Sequence, residues 1–475
     1  MRRNAEQFGD KTAIEFEGQS VSWRQLWQKV EANSGFFIDS LGTSKQKVVA
    51  LLLTNSIEFI STYLAVLQAG HILLPLDPAY KKLELDAIIK QIQPALLITS
   101  ERYRDQVDRQ TAKTIMVDDI PKVQTDEAPL RLDPKVQIAS ITYTSGTSGE
   151  PKAAPNTHAN HIWNIQACSK VWNWTHDDTL LICLPLSHMH GLVIGLSGII
   201  YHGNTAYLKQ QAFMPGLVLQ ELSSGRISMF SHSPMAYSKM LESAQGDYDL
   251  SKVRVCISGA APLAPAVWRE FKDRFGVEIV ETYGSSETGR IAGNRLDKKV
   301  IGSPGPPMPG VQVKLSEDGE LLVKSPGVFP GYYDNDQATA AGQAPGGFWR
   351  TGDIVEIRQG NIFLKGRLSE RIRRFGYTVS PRDVEWALRQ NPAIKDVFVL
   401  GRQIPRQPND KLTYFIVGHI SESDLRAYCQ ANLLFAWRPD KVIFLDKLPK
   451  TNSGKTHLKA LQAILDKPLK VGGGH

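Results

Sequence analysis

Cysteine is scarce in this sequence. Four residues, Cys168, Cys183, Cys256 and Cys429, are scattered through 475 positions, and no two form a C-x-x-C pair. That spacing excludes a disulfide framework and a four-cysteine zinc site, and it fits a reducing compartment. Cys183 and Cys256 stand in apolar, strand-like runs and are expected in the core. Long apolar runs are also missing. The longest, Gly191 to Ile200, contains glycines and is shorter than the roughly 20 residues a membrane-spanning helix needs. Met1-Arg2-Arg3-Asn4 leads into polar residues and not into an apolar h-region, so no secretory signal and no transmembrane segment are expected. A soluble, cytoplasmic protein is expected, with contact at a membrane surface left open. A strong charge of one sign is lacking too. The formal net charge is +7 and the pI about 9.0, with the basic residues spread along the chain. No nucleic-acid stripe results. The mild excess fits either attraction to anionic substrates such as nucleotides or a generic basic surface.

What is present is a globular balance, 42% hydrophobic and 22% charged residues, over a length that predicts two or three domains. Strand-like and helix-like segments alternate through the first 365 positions. Val48–Leu53, Ile72–Pro75 and Ala95–Thr99 read as strands, and Ser56–Gln68 and Leu83–Gln91 as helices. The pattern returns with Val253–Ser258, Ala264–Phe275 and Glu278–Tyr283. It predicts an α/β fold with parallel-rich sheets. From about 300 to 365, Pro304, Pro306, Pro307 and Pro309 punctuate a stretch of short strands, read as a small β-rich subdomain. A turn at Gly366 is expected to open a smaller α+β domain over 367–475, after an N-terminal domain over 1–366.

The strongest local signal is Tyr143-Thr144-Ser145-Gly146-Thr147-Ser148-Gly149-Glu150-Pro151-Lys152, which follows an apolar strand. Its glycines let backbone amides turn toward phosphate oxygens, its hydroxyls add neutral donors, and Lys152 adds a cation. It is not the P-loop of kinases and GTPases, because no lysine follows Gly149 directly. Asn452-Ser453-Gly454-Lys455-Thr456 has the P-loop ending, but Pro449 occupies the place of its first glycine.

These residues resemble the phosphate-binding signature of the adenylate-forming superfamily, which includes AMP-forming acyl-CoA synthetases, adenylation domains and luciferases. Further stretches resemble its other motifs in the expected order: Leu184–Gly191 beside the acyl pocket, Ser258–Leu263 beside adenine, Glu281–Thr288, Trp349–Asp353 with Gly366-Arg367, and Pro449–Lys455. The resemblance spans nearly the whole chain and implies an enzyme. It would use ATP and Mg²⁺ to join a carboxylic acid to AMP, then pass the acyl group to a thiol, either coenzyme A or the phosphopantetheine arm of a separate carrier protein.

The resemblance also implies roles. Thr144, Ser145, Gly146, Thr147, Ser148, Gly149 and Lys152 would hold the β- and γ-phosphates. Glu287 would bind Mg²⁺, for which a carboxylate oxygen is a suitable hard ligand. Gly259 and Ala260 would leave room for adenine, Tyr283 would stack on it or pack in the core, and Gly284 and Ser286 belong to the same motif. Asp353 would accept from both ribose hydroxyls, with Arg367 reaching the ribose from the next domain. His188 would gate the acyl carboxylate, and Lys455 would stabilise charge in the transition state. Ser369 marks the hinge for the family's domain rotation, and Gly376 a passage for the thiol arm. Departures from the pattern include Ser187, which replaces an aromatic at the acyl-side gate, and several touch the acceptor side: Ser369 and Glu370 replace the usual hinge pair, and Phe375 replaces a glycine. The run Arg371, Arg373 and Arg374 reads as a solvated face or as a contact for coenzyme A phosphates or an acidic carrier. Arg290 reads as a ligand for a second carboxylate or as a solvent-facing residue. A medium-chain, aromatic or hydroxylated acid fits. A luciferase-like oxidase and a catalytically silent adenylate binder are the competing readings.

Overall fold

A computed structural model describes residues 1–108, 112–123, 125, 127–131, 133–144, 152–210, 213–368, 372–375, 377–379, 381–402, 410–451 and 456–466. The chain forms two compact units. Unit 1 comprises Met1–Lys314, Leu322–Thr351 and Ile357–Ile362, and unit 2 comprises Leu315–Leu321, Gly352–Glu356 and Phe363–His475.

Unit 1 is built on two parallel-rich sheets. The larger has eight strands in the order Gly289–Gly293, Ile279–Ser285, Val255–Ser258, Met229–His232, Thr179–Ile182, Thr205–Leu208, Thr12–Phe16 and Gln19–Ser22. The six inner strands run parallel, and an antiparallel strand closes each edge. The second sheet has six strands, Thr114–Met116, Leu96–Thr99, Val48–Leu52, Ile72–Leu76, Ile138–Thr144 and Lys152–Thr157. It is parallel except for the last pair. Val48–Leu52 and Ile72–Leu76 are buried at every position, as strands covered on both faces must be. The helices between them start where the sequence supplies caps. Ser56 accepts from the Phe59 amide, and Thr157 forms a reciprocal capping box with Asn160. The expected α/β class and parallel-rich sheets are observed.

The apolar run from Gly191 does not make an ordinary helix. His190–Ser197 winds as a π-helix and continues into Gly198–His202. Gly191 allows this, since a Cβ there would collide with the Pro185 carbonyl oxygen. Among the described residues, no helix is long and apolar enough to cross a membrane. All four cysteines are buried and free.

In unit 2, Ile394–Arg402, Lys411–Gly418 and Lys441–Phe444 form a three-stranded sheet, and the core gathers Val397, Tyr414, Ile416 and Leu425. Two expectations fail here. Gly366 is not a turn: the strand Asn361–Arg367 runs through it, with φ +152° that only glycine adopts readily. Arg374 is not a solvated face or a coenzyme A contact. It is 6% exposed, donates to the carbonyls of Ala436 and Arg438, and forms an ion pair with Asp440 at 2.9 Å. These partners engage both terminal nitrogens of the guanidinium inside the fold.

Glu281 in unit 1 is buried and accepts from the Leu263 amide at 3.2 Å. Burial pushes its carboxyl up to about 8, against the opposing effect of amides from Leu263 and Gly302. An acid raised above its unfolded value contributes stability in full below about pH 4.5 and loses it as pH rises through about 8. Glu281→Gln, which cannot ionise, should therefore gain on the native chain as pH rises. Thermal midpoints should favour the native chain or tie at pH 5 and favour the variant by several degrees at pH 9. A difference that stays flat with pH would contradict this.

Candidate active site

The parallel strands of the larger sheet end on one edge, and the residues that follow them carry most of the candidate chemistry. His188 and His190 come soon after Thr179–Ile182. Ser231 and His232 end the next strand, Ser258 and Gly259 the one beyond it, and Tyr283 and Gly284 lie near the end of the fourth. In open α/β sheets, the carboxyl ends of the strands are where ligands bind.

Gly259 is buried, and its amide donates to the His232 carbonyl. A Cβ on Gly259 would stand 3.0 Å from His190 Cε1 and 3.2 Å from Thr282 Cγ2, so glycine keeps this corner open. Ala260 follows with φ +70°, a conformation unusual for a residue with a side chain, and is exposed. Tyr283 is half-buried and pairs in register with Ala292. Gly284 lies so close to the Gly289 carbonyl that no side chain fits. The Ser286 carbonyl accepts from Asn156 Nδ2 at 3.1 Å.

Glu287 and Lys152 meet through a residue the sequence reading missed. The Tyr332 hydroxyl donates to Glu287 Oε1 at 3.0 Å, and Lys152 Nζ lies 5.2 Å from the centre of the Tyr332 ring. Phe329 and Trp349 pack edge-on against that ring. The aromatic wall fixes a carboxylate and an ammonium near each other without a direct ion pair between them being required. No local spacing marks Tyr332; its position after Gly331 in a turn-rich stretch is the only cue.

His188 also has an unforeseen partner. Its Nε2 lies 2.9 Å from Asp77 Oδ2, with the carboxylate 5% exposed and the imidazole 33%. Asp77 follows the strand Ile72–Leu76 and also accepts from the Ala79 amide at 2.9 Å. Burial would raise the Asp77 carboxyl, but the His188 hydrogen bond and charge and the Ala79 amide together hold it below its ordinary value. A carboxylate so placed fixes the ring orientation and the proton on Nε2. His158 begins the helix His158–Trp172.

In unit 2, Asp353 and Arg367 form an ion pair at 2.8 Å, and Asp353 is buried. Asp353 lies within the strand Phe348–Arg358, just after Gly352 with φ +70°. Both residues belong to the same unit. Thr144 ends the strand Ile138–Thr144 and pairs with Lys152. Its side chain, together with Ser145, Gly146, Thr147, Ser148, Gly149, Ser369, Gly376 and Lys455, lies outside the described residues.

The donor set suits magnesium. Mg²⁺ binds through one or two carboxylates plus phosphate oxygens and waters, not in an all-protein cage. Glu287 offers one carboxylate oriented by Tyr332, and no group of three or more acidic, His or Cys ligands occurs among the described residues.

The AMP-binding enzyme family matches residues 1–333, and the AMP-binding enzyme C-terminal domain matches residues 383–455. The chain belongs to the AMP-binding enzyme family. Within that family it is similar to 2-succinylbenzoate–CoA ligase of Listeria monocytogenes, at 30% identity over 463 residues, covering 95% of this chain and 96% of that protein. It is also similar to the mitochondrial malonate–CoA ligase of Homo sapiens, at 27% identity, covering 96% of this chain and 90% of that protein. Among solved structures, ATP-bound MatB from Rhodopseudomonas palustris aligns with a TM-score of 0.90 at 25% identity, covering 98% of each chain.

The Asp77–His188 contact yields a test of whether that imidazole serves the acid. Asp77→Asn keeps the shape but removes the charge that fixes the ring. It should lower kcat/KM for the acid about tenfold in acid-dependent pyrophosphate exchange, with KM for ATP unchanged. Equal losses toward both substrates would point to a general structural defect.

Proposed function

We infer that this chain couples ATP cleavage to thioester formation: it is an AMP-forming acid–thiol ligase with coenzyme A as the acceptor. The observation that carries the reading is the Lys152–Tyr332–Glu287 cluster, whose lysine closely follows the hydroxyl- and glycine-rich stretch 144–149 in the sequence of a chain of the AMP-binding enzyme family. The named relatives are ligases of coenzyme A, which favours it over a carrier protein. Malonate and 2-succinylbenzoate each carry two carboxyl groups, so we place the acid among dicarboxylates.

In the first half-reaction, a carboxylate oxygen attacks the α-phosphorus of ATP, and pyrophosphate leaves with the bridging oxygen. Both reactants are anions, so the site must neutralise and orient them. We assign the triphosphate to 144–149 and Lys152, and Mg²⁺ to Glu287; the ion supplies charge neutralisation on the phosphates. Tyr283, Gly259 and Ala260 take the adenine, with Gly284 and Ser286 shaping the turn beside it. Asp353 accepts from the ribose hydroxyls, and Arg367, its ion-pair partner, stays close to the same sugar. His188, oriented by Asp77, faces the acid's carboxylate. Lys455 supplies positive charge as the new bond forms. In the second half-reaction, the thiol gives up its proton and its sulfur attacks the acyl carbonyl. The bond from carbonyl carbon to the AMP oxygen breaks, and AMP leaves. We place the start of the C-terminal domain at 367, the hinge at Ser369, and the passage for the thiol arm at Gly376.

Acid-dependent exchange of pyrophosphate into ATP tests the first step alone. The native chain should catalyse it with a dicarboxylic acid, and Lys455→Ala should lose about 10²–10³-fold in kcat. The same variant should retain much of its rate from preformed acyl-adenylate and coenzyme A. An exchange rate unaffected by Lys455→Ala would overturn the assignment.

A further inference from the structure

We propose that Tyr332 is a positioning residue for the metal: its hydroxyl orients the Glu287 carboxylate so that Mg²⁺ and ATP bind together. The proposal rests on the ligase reading above, which gives Mg²⁺ to Glu287, and adds the side chain that holds that carboxylate in place.

Glu287 follows the strand Ile279–Ser285 in a turn whose backbone is fastened at two points. The Glu287 carbonyl accepts from the Phe329 amide at 2.8 Å, and the Ser286 carbonyl before it accepts from the buried Asn156 at 3.1 Å. These bonds fix the main chain but not the side-chain torsions. The Tyr332 hydroxyl does that, by donating to Glu287 Oε1 at 3.0 Å. A phenol bound to an ionised carboxylate makes a charge-assisted hydrogen bond, stronger than one between neutral groups. With one oxygen held, the direction of the other is set as well. Glu287 is half-buried, so it is not sealed from an incoming ion.

Tyr332 is itself held from several sides, as a residue that positions another must be. Its amide donates to Thr339 Oγ1 at 2.9 Å, and that hydroxyl donates on to the Asn335 carbonyl. Its ring lies edge-on to Phe329 at 5.0 Å and to Trp349 at 5.9 Å between centres. Phe329 and Trp349 are buried and pack edge-on against each other. The next residue ties this segment to the strand that begins with Lys152, since the Tyr333 amide donates to the Ala153 carbonyl at 3.0 Å. The Lys152 ammonium lies 5.2 Å from the centre of the Tyr332 ring, within range of a cation–π attraction. One side chain therefore sets the carboxylate assigned to the metal and lies against the lysine assigned to the triphosphate. Mg²⁺ demands near-ideal octahedral geometry and binds through few protein ligands. A carboxylate that wanders loses most of its value to such an ion. Removing the partner that orients a metal ligand costs about 10–100-fold in metal affinity or activity.

Titration calorimetry of ATP binding to the full chain, without acid and at a series of Mg²⁺ concentrations, tests this apart from turnover. Mg²⁺ should tighten ATP binding to the native chain. Tyr332→Phe keeps the ring and its packing but loses the donor. It should reduce that tightening about tenfold and leave ATP binding without Mg²⁺ unchanged. In pyrophosphate exchange it should need about tenfold more Mg²⁺ for half-maximal rate, with KM for the acid unchanged. Glu287→Gln should lose at least as much of the tightening. Adding Tyr332→Phe to it should cost nothing further, which a merely structural role would not predict. Both single variants should unfold at nearly the native temperature. Equal tightening by Mg²⁺ in Tyr332→Phe and the native chain overturns the proposal, as do losses that add in the double variant or a Tyr332→Phe chain that folds poorly. In each of those cases a Glu287→Gln chain that has lost its response to Mg²⁺ leaves the ligase reading standing. Glu287→Gln with a full response to Mg²⁺ sinks the metal assignment, and this proposal with it. A native chain that binds no ATP sinks the ligase reading itself.

Discussion

Mutual repulsion of two anions is the constraint on which this structure turns. A carboxylate can reach the α-phosphorus of a triphosphate only when fixed positive charges and hydrogen-bond donors offset that repulsion at bonding distance. Unit 1 holds a few charged side chains firmly in place. Lys152 is set against the Tyr332 ring, Glu287 is bound by the same tyrosine, and His188 is oriented by Asp77. Burial holds the His190 and His232 rings below their ordinary range.

The parallel sheet makes this arrangement possible. Neighbouring strands that run the same way deliver their carboxyl ends to one edge, so residues far apart in sequence converge there. Thr179–Ile182, Met229–His232, Val255–Ser258 and Ile279–Ser285 do so side by side. The π-helix after the first of them turns His190 toward Ser231, and close backbone approaches at Gly191 and Gly284 keep the edge compact. Π-helical turns are uncommon and tend to occur at functional positions.

Much of this could be read from the sequence, and the limits have a physical cause. Buried strands such as Val48–Leu52 and capped helices such as Ile57–Gln68 are fixed by local patterns of apolar residues and by capping side chains, so they are legible in a short window. The glycine- and hydroxyl-rich stretch at 144–149 is equally local. Contacts made across the fold are not. Tyr332 meets Glu287, Asp77 meets His188, and Arg374 meets Asp440 only after the chain has folded. Arg374 looked like part of a solvated basic run because its carboxylate partner, Asp440, lies in another segment. Gly366 looked like a turn because a glycine inside a strand leaves the same mark in the sequence as one between strands.

The central claim is that the acid's own oxygen becomes bonded to the phosphorus of AMP. The most direct measurement uses a dicarboxylic acid labelled with ¹⁸O in its carboxyl groups, together with ATP, Mg²⁺ and coenzyme A, followed by mass spectrometry of the released nucleotide and phosphates. Acyl-adenylate chemistry predicts AMP carrying one ¹⁸O per turnover and unlabelled pyrophosphate. Unlabelled AMP, or label appearing in inorganic phosphate alongside ADP, would contradict it.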